Sequence, residues 1–339
     1  MTKIYLIRHA EAEGNLYRVA HGQYNSTITP RGYRQLSALR RRFADIPIDA
    51  VYGSDLFRTH TTASALYVPK QLPFHPLPLL REVRLGVWEQ KSWAEIERMD
   101  RQMLIDFNKR PDLWHVEGGE TFDVVRDRML AGILQIAGEN PGKTVAATSH
   151  GAALRVLLGT IEGRSLREIG ETHHCDNTAV SLLEVEGKEI RIIFQGDSSH
   201  LPPELSTFHR QSWHKSDQAT EPGLWYRLVS EDEQGREQRA MLEEEEVGRI
   251  VMVLTPSALR ITEYELYPAQ RHHRFGVQLL GQAVQYARTK GREQLVLTCP
   301  PELAGYFAQF GFVSTGEGPD GTDMAMDIRL VMREIPEEP

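Results

Sequence analysis

Apolar positions along this chain follow two rhythms, one of strand type and one of helix type. Lys3 to Ile7 (KIYLI) is a short apolar run of the kind buried on both faces of a parallel sheet. Thr29-Pro30 marks a helix start, with Thr as N-cap and Pro at the first helical position, and the helix continues through Leu36, Leu39 and Phe43. Asp49 to Tyr52 reads as a second strand, and Ser54 as the cap of a helix that carries Arg58, Ala65 and Leu66. After a Pro-rich stretch and Leu79 to Trp88, a helical segment is predicted from Trp93 to Phe107. Gly118-Gly119 breaks the chain before Phe122, Val125, Met129, Ile133 and Ile136, which recur at helical spacing. Thr144 to Thr148 reads as a third strand, Gly151 to Leu158 as the helix after it, and Thr178 to Val185 with Glu189 to Phe194 as a closing hairpin. Strands and helices alternating at these lengths predict an α/β fold, a three-layer α/β/α arrangement around a mostly parallel sheet.

The alternation lapses from Gly196 to Pro222, a stretch rich in Ser, Pro, His and Gln in which Phe208 and Trp213 suggest some packing. This divides the chain into residues 1–196, a linker over 197–222 and a second unit over 223–339. In the second unit, Leu224 to Val229, Val247 to Leu254 and Ala258 to Leu266 read as consecutive strands. A helix (Gly276 to Thr289), a strand (Gln294 to Cys299), a short helix (Glu302 to Phe310) and a last strand near Met324 to Leu330 follow. Glu243 to Glu246 reads as a solvated hairpin turn. The pattern is that of a second, mixed α/β unit.

Composition narrows the classes. A chain of 339 residues exceeds one ordinary core, which agrees with two domains. The net charge of -8 argues against a nucleic-acid binder, and Arg40-Arg41-Arg42 is the basic last turn of a helix. Two isolated cysteines, Cys175 and Cys299, suit a reducing compartment. With no leader pattern at Met1 to Ile7 and no apolar run long enough to span a bilayer, a cytoplasmic protein without membrane contacts is expected. Oligomeric state leaves no mark in the sequence.

Candidate chemistry then falls at equivalent places. His9 follows the first strand and His150 the third, and ligands of open α/β sheets bind beyond the carboxyl ends of strands. Arg58, in the first turn of the helix after the second strand, points to the same edge, so two His, Arg8, Arg58 and Asn15 converge on one crevice.

Arg8-His9-Ala10-Glu11 with Asn15, Ser54-Asp55-Leu56-Phe57-Arg58 with Thr62-Ala63, Leu80-Arg81-Glu82 with Gly86-Val87-Trp88-Glu89, and Ser149-His150-Gly151 stand in the order and spacing of one family. Over residues 1 to 195 the chain resembles the histidine phosphatase superfamily, which includes the cofactor-dependent phosphoglycerate mutases. The resemblance implies that His9 is the nucleophile, that Arg8, Asn15, Arg58 and His150 hold the phosphoryl group, and that Glu82 is the proton donor and acceptor. It also implies that His21-Gly22, standing where the family usually has Gln-Gly, touches substrate, a small phosphorylated metabolite.

Those roles suit the chemistry: a neutral imidazole attacks near pH 7, and Arg forks with a second His meet the charge on the equatorial oxygens. No metal or other cofactor is expected for this step. The family's Gly after the nucleophile is Ala10 here, so a turn needing positive φ would shift slightly. The short run from Trp88 to Gly118-Gly119 resembles the phosphatase branch more than the mutases, so a phosphomonoesterase is expected. The alternatives are a mutase primed by a bisphosphorylated donor and a binding or regulatory protein.

In the second unit, Pro268 to Gly276 with Leu279-Leu280, and Phe307-Ala308-Gln309-Phe310-Gly311-Phe312, resemble the GNAT acetyltransferases over residues 223 to 333. The resemblance implies acetyl-CoA held by the loop of Arg271, Arg274, Phe275 and Gly276, and an acyl acceptor. Arg274 replaces the first glycine of that loop, and the family's tyrosine falls at Phe307, one residue from Tyr306. His173-His174-Cys175 offers no convergent ligand set, so no metal residues are assigned.

Overall fold

Two sheets organise the chain. The computed structural model describes residues 1–211, 223–271 and 275–338. The first unit contains β1 (Thr2–Arg8), α1 (Glu13–Tyr17), α2 (Pro30–Arg42), β2 (Ala50–Gly53), α3 (Phe57–Lys70), β3 (Phe74–Pro76), α4 (Trp93–Met99) and α5 (Arg101–Lys109). It continues through α6 (Phe122–Glu139), β4 (Thr144–Ser149), α7 (Gly151–Ile161), β5 (Val180–Glu186) and β6 (Glu189–Asp197). The strand order is β3-β2-β4-β1-β5-β6. The pairs from β3 to β1 are parallel, whereas β5 and β6 join antiparallel.

The three layers follow from the strands' own alternation. Ile4 and Leu6 of β1 with Val145 and Ala147 of β4 face α6 and α7, while Ile7 and Ala146 face α2 and α3. Both faces are dry, which is why KIYLI carries no polar alternation. Thr29 caps α2, accepting from Gly32 N. Ser54, however, does not cap α3. That helix starts at Phe57, and the Phe57 N–H donates to Asn25 Oδ1 at 2.8 Å, a partner supplied by a different loop. The helix predicted over Trp93–Phe107 is two helices, divided at Asp100, whose side chain accepts from Met103 N.

Residues 198–211 fold back on the first unit. They contain α8 (Thr207–Arg210); Leu201 and Leu205 pack on Ala38, and Gln35 Nε2 donates to Leu205 O at 2.7 Å. The described part of the stretch expected as a linker is therefore packed, and Trp213 lies outside the described residues.

The second unit contains β7 (Trp225–Glu231), β8 (Gly235–Leu242), β9 (Glu245–Leu254), β10 (Leu259–Leu266), α9 (Phe275–Thr289), β11 (Gln294–Cys299), α10 (Ala304–Ala308), β12 (Val313–Gly318) and β13 (Gly321–Asp327). Its order is β12-β13-β11-β10-β9-β8-β7, and only β10 and β11 run parallel. The sheet is thus mostly antiparallel, with α9 buried against it. Strands β8 and β12 lie where none was predicted. Among the described residues, no helix is long and apolar enough to cross a membrane.

Candidate active site

β1 and β4 lie side by side, but the chain leaves them toward opposite faces, into α2 and α7. Such a switch point opens a crevice at the carboxyl edge. His9 and His150 stand there, their rings 5.3 Å apart. Nδ1 of His9 lies 2.7 Å from Ala10 O. A carbonyl oxygen can only accept, so Nδ1 carries the proton and Nε2 keeps its lone pair. His150 Nε2 lies 2.9 Å from Ser54 Oγ, and that hydroxyl also accepts from Leu56 N. With the Ser54 proton directed at Nε2, Nδ1–H of His150 becomes a donor, and it has no hydrogen-bond partner among the described residues.

Burial, and after it the Arg58 guanidinium, holds both imidazoles well below their ordinary range, so both are neutral at pH 7. The same burial brings Arg58 down to about 10, which leaves it charged.

The other expected residues gather around this pair. Arg8 donates from Nη1 to Cys175 O at 2.5 Å, and its buried Nε has no partner among the described residues. Gly151 faces it; a Cβ there would stand 3.3 Å from Arg8 Nε. Arg58 spans the loop of His21 and Gly22, donating to Gly22 O at 2.7 Å and Tyr24 O at 2.9 Å. Gly22 adopts φ +50, and a Cβ would meet Glu89 Oε1 at 2.4 Å, so glycine is required. Asn15 Oδ1 accepts from Ala12 N at 3.1 Å, which leaves its amide Nδ2 for an anion. Glu82 is seated on the first turn of α7: Ala153 N and Ala152 N donate to its carboxylate at 2.9 and 3.2 Å, and Val83 N at 3.0 Å. Ala10 does not adopt positive φ, and its methyl fits without a shift of the turn.

One cavity of about 470 Å³ is lined by Arg8, His9, Asn15, His21, Gly22, Arg58, Glu82 and Gly151. The structure thus brings together the residues expected around the nucleophile. It adds Asn177, which sequence reasoning passed over, and gives Thr62 of the second motif a place. Asn177 Nδ2 donates to His9 O at 2.8 Å, and Thr62 Oγ1 accepts from Ala10 N at 3.0 Å, so both hold the His9–Ala10 backbone. Because β5 is antiparallel, its start lies at the same sheet edge, and that topology marks Asn177. The outer wall is Trp93, Leu104 and Phe107, with Lys109, Arg155, Glu171, His173 and His174 at polar positions.

The residues expected around acetyl-CoA lie elsewhere. β10 and β11 pair only over Leu259–Ile261 and Leu295–Leu297. Beyond that they part, and a cleft of about 970 Å³ opens, lined by Arg271, Phe275, Gly276, Tyr264 and Tyr306 and, from the first unit, by Glu11 and Arg31. Arg274 lies outside the described residues. Phe307, though part of the buried core of the second unit, lines the cleft together with Tyr306.

Comparison with known proteins bears on the first unit. Residues 4–198 match the family model of the histidine phosphatase superfamily (branch 1). A relative from Proteus mirabilis, named probable phosphoglycerate mutase GpmB, is 32% identical over 166 residues, 48% of this chain and 76% of its own. The metal-independent phosphoserine phosphatase of Arabidopsis thaliana is 29% identical over 208 residues, 59% of this chain and 84% of its own. The solved structure of Bacillus stearothermophilus YhfR superposes with a TM-score of 0.57 at 30% identity, covering 59% of this chain and 99% of that one.

Proposed function

The chain belongs to the histidine phosphatase superfamily, and we propose that it hydrolyses a small phosphomonoester through a phosphohistidine on Nε2 of His9. The observation that carries this reading is the Nδ1–Ala10 hydrogen bond, which leaves the lone pair on Nε2 in a cavity lined by Arg8 and Arg58, with the His150 ring 5.3 Å from that of His9.

In the first step Nε2 attacks phosphorus, the phosphorus–oxygen ester bond breaks, and protonated Glu82 gives its proton to the departing alkoxide. In the second, water attacks the phosphohistidine, the phosphorus–nitrogen bond breaks, and the Glu82 carboxylate takes the water's proton. Phosphate leaves and neutral His9 is restored. Arg8, Arg58, the Asn15 amide and Nδ1–H of His150 meet the charge on the equatorial oxygens in both steps. These donors supply the positive charge themselves, so turnover in the presence of a chelator is expected.

The test is release of phosphate from a panel of phosphomonoesters in EDTA, beside His9→Ala, with acid-labile phosphoprotein trapped in the wild type. His9→Ala should lose activity on the order of 10⁴-fold or more. Wild type that releases no phosphate and forms no phosphoprotein would sink the reading. A mutase is the second reading, favoured by the relative from Proteus mirabilis; turnover that depends on a bisphosphorylated primer would select it.

For the second unit we propose a separate acyl-transfer site that takes acetyl-CoA in the cleft between β10 and β11. Support comes from Arg271, Phe275 and Gly276, which line that cleft at the start of α9. Calorimetric titration with acetyl-CoA tests it, and absence of binding would leave this unit a binding or regulatory module.

A further inference from the structure

Helix α1 belongs to the catalytic unit by sequence and to the second unit by packing. It starts four residues after His9, carries Asn15, and ends at Arg18 in the left-handed region, φ 59. Asn15 and Arg18 both line the catalytic cavity. Tyr17, between them, is buried in the core of the second unit. A Cβ on Gly281 would stand 2.6 Å from Tyr17 Cβ, so only glycine at this point of α9 allows the two helices to meet.

Beside that contact, Arg288 of α9 forks Glu13 of α1. Nη1 donates to Oε2 at 2.6 Å and Nη2 to Oε1 at 2.8 Å. Their side chains are 14% and 7% exposed, so the pair is shielded from water. The fork is itself held at both ends: Glu13 accepts from Thr27 Oγ1 at 2.9 Å, and Arg288 donates to Ile328 O at 2.8 Å. The same helix α9 also reaches the segment that bonds next to His21. Gln285 Nε2 donates to Gln90 O at 2.9 Å, and Gln90 N donates to Ala20 O, next to His21.

A helix of five residues does not hold itself together, since helices shorter than about 12 residues are marginal alone. Its position is set by what it packs on, and a bidentate, water-shielded pair fixes orientation as well as distance. We infer that the second unit positions the phosphate-binding turn of the first, with Arg288 as a positioning residue for phosphoryl transfer acting through Glu13 and α1. This inference rests on the phosphatase reading of the cavity.

The test uses the full chain, with Arg288→Ala, Arg288→Lys, Glu13→Gln and the double variant, and with Arg227→Ala as a control at an exposed pair. kcat and KM for p-nitrophenyl phosphate and Kd for orthovanadate are read together. Arg288→Ala and Glu13→Gln should each lower kcat/KM by about tenfold or more and weaken vanadate similarly, because small misplacements of a binding group cost that much. Arg288→Lys should recover part of the loss, and the double variant should be no worse than either single one. Arg227→Ala should stay within about twofold of wild type, as expected of an exposed pair.

Folded Arg288→Ala with wild-type kcat/KM and vanadate affinity overturns the inference. If Arg288→Ala does not fold, Arg288→Lys decides: it keeps the charge but loses the fork, so wild-type values in it overturn the inference and reduced values support it. Should the wild type cleave no phosphoester, the phosphatase reading fails, while vanadate affinity across the same variants still decides the role of Arg288.

Discussion

Both units of this chain open a cavity where two parallel strands face different connections, yet the two cavities differ in how their polar groups are satisfied. At the β1–β4 edge, two donors, Nε of Arg8 and Nδ1 of His150, are buried with no hydrogen-bond partner among the described residues. At the β10–β11 cleft, the Tyr264 hydroxyl donates to Gly276 O at 2.5 Å and lies 3.1 Å from the Tyr306 hydroxyl. A buried donor without a partner costs about 1–3 kcal/mol, and two together suit a ligand whose acceptor atoms supply the missing bonds. In the second cleft the two tyrosine hydroxyls already bond to each other and to the start of α9. The difference separates donors left open to an acceptor from hydroxyls with which a ligand must compete.

The largest effects that could break this contrast lie in the first cavity. His150→Ala removes the donor opposite the nucleophile and should lower kcat by about 10²–10³-fold, the range found for single transition-state donors. Glu82→Gln keeps the shape but cannot transfer a proton, and a loss of about 10²–10⁴-fold is expected with alkyl phosphates. The loss should shrink with p-nitrophenyl phosphate, whose leaving group needs no proton. Equal losses on both esters would remove Glu82 from the proton-transfer role, and an active His150→Ala would show that the buried Nδ1 serves packing alone.

A change of pH should act on the two units unequally. Burial, with nearby Arg58, holds His9, His21 and His150 well below the ordinary imidazole range, and burial with Arg42 brings His200 to about 4. Folded values below the unfolded one mean that, under pH 6.5, the unfolded chain binds protons that the folded chain does not. Stability from these groups is therefore complete above pH 6.5 and declines as the pH falls toward the folded values. For His200 the fall from 6.5 to about 4 amounts to on the order of 3 kcal/mol. Apart from His272 and His273, the sequence beyond residue 222 contains no histidine. Urea midpoints between pH 7.5 and 4.5, followed by probes in each unit, should show the first unit losing stability earlier. A midpoint that does not move between pH 7.5 and 5 would contradict the burial of these imidazoles.

The contrast also explains what the sequence could disclose. Dry strands such as KIYLI and TVAATS (Thr144–Ser149) declare themselves because both faces need apolar or small residues, and His9 and His150 follow them directly. Strand β8 (GREQRAML) does not, since its buried positions include Gln238, whose Nε2 donates to Gln282 at 3.3 Å, and its neighbours are charged. Edge strand β12 is exposed at all six positions and joins the sheet through its ladder with β13. The start of α3 was misplaced at Ser54 because its actual partner, Asn25, comes from another loop. Pairing of this kind leaves no local signature, and neither does the reach of Arg288 across to Glu13. The convergence of His9 and His150 on one sheet edge was thus legible from their places after strands, while the contact of α9 with α1 was not.

The smallest expected effect sharpens the account of the second cleft. Tyr264→Phe removes the hydroxyl that bonds Gly276 O and faces Tyr306, but keeps the ring that packs on Phe307 at 5.5 Å. If those bonds serve the fold, stability should fall by about 1 kcal/mol, the usual net worth of one hydrogen bond. Phosphatase kcat/KM should not change, because Tyr264 does not line the catalytic cavity. Acetyl-CoA affinity is the informative reading: unchanged affinity would mean that the tyrosines bond only to hold the helix start in place. A rise would mean that the ligand had been competing with Tyr264 for the backbone at the start of α9.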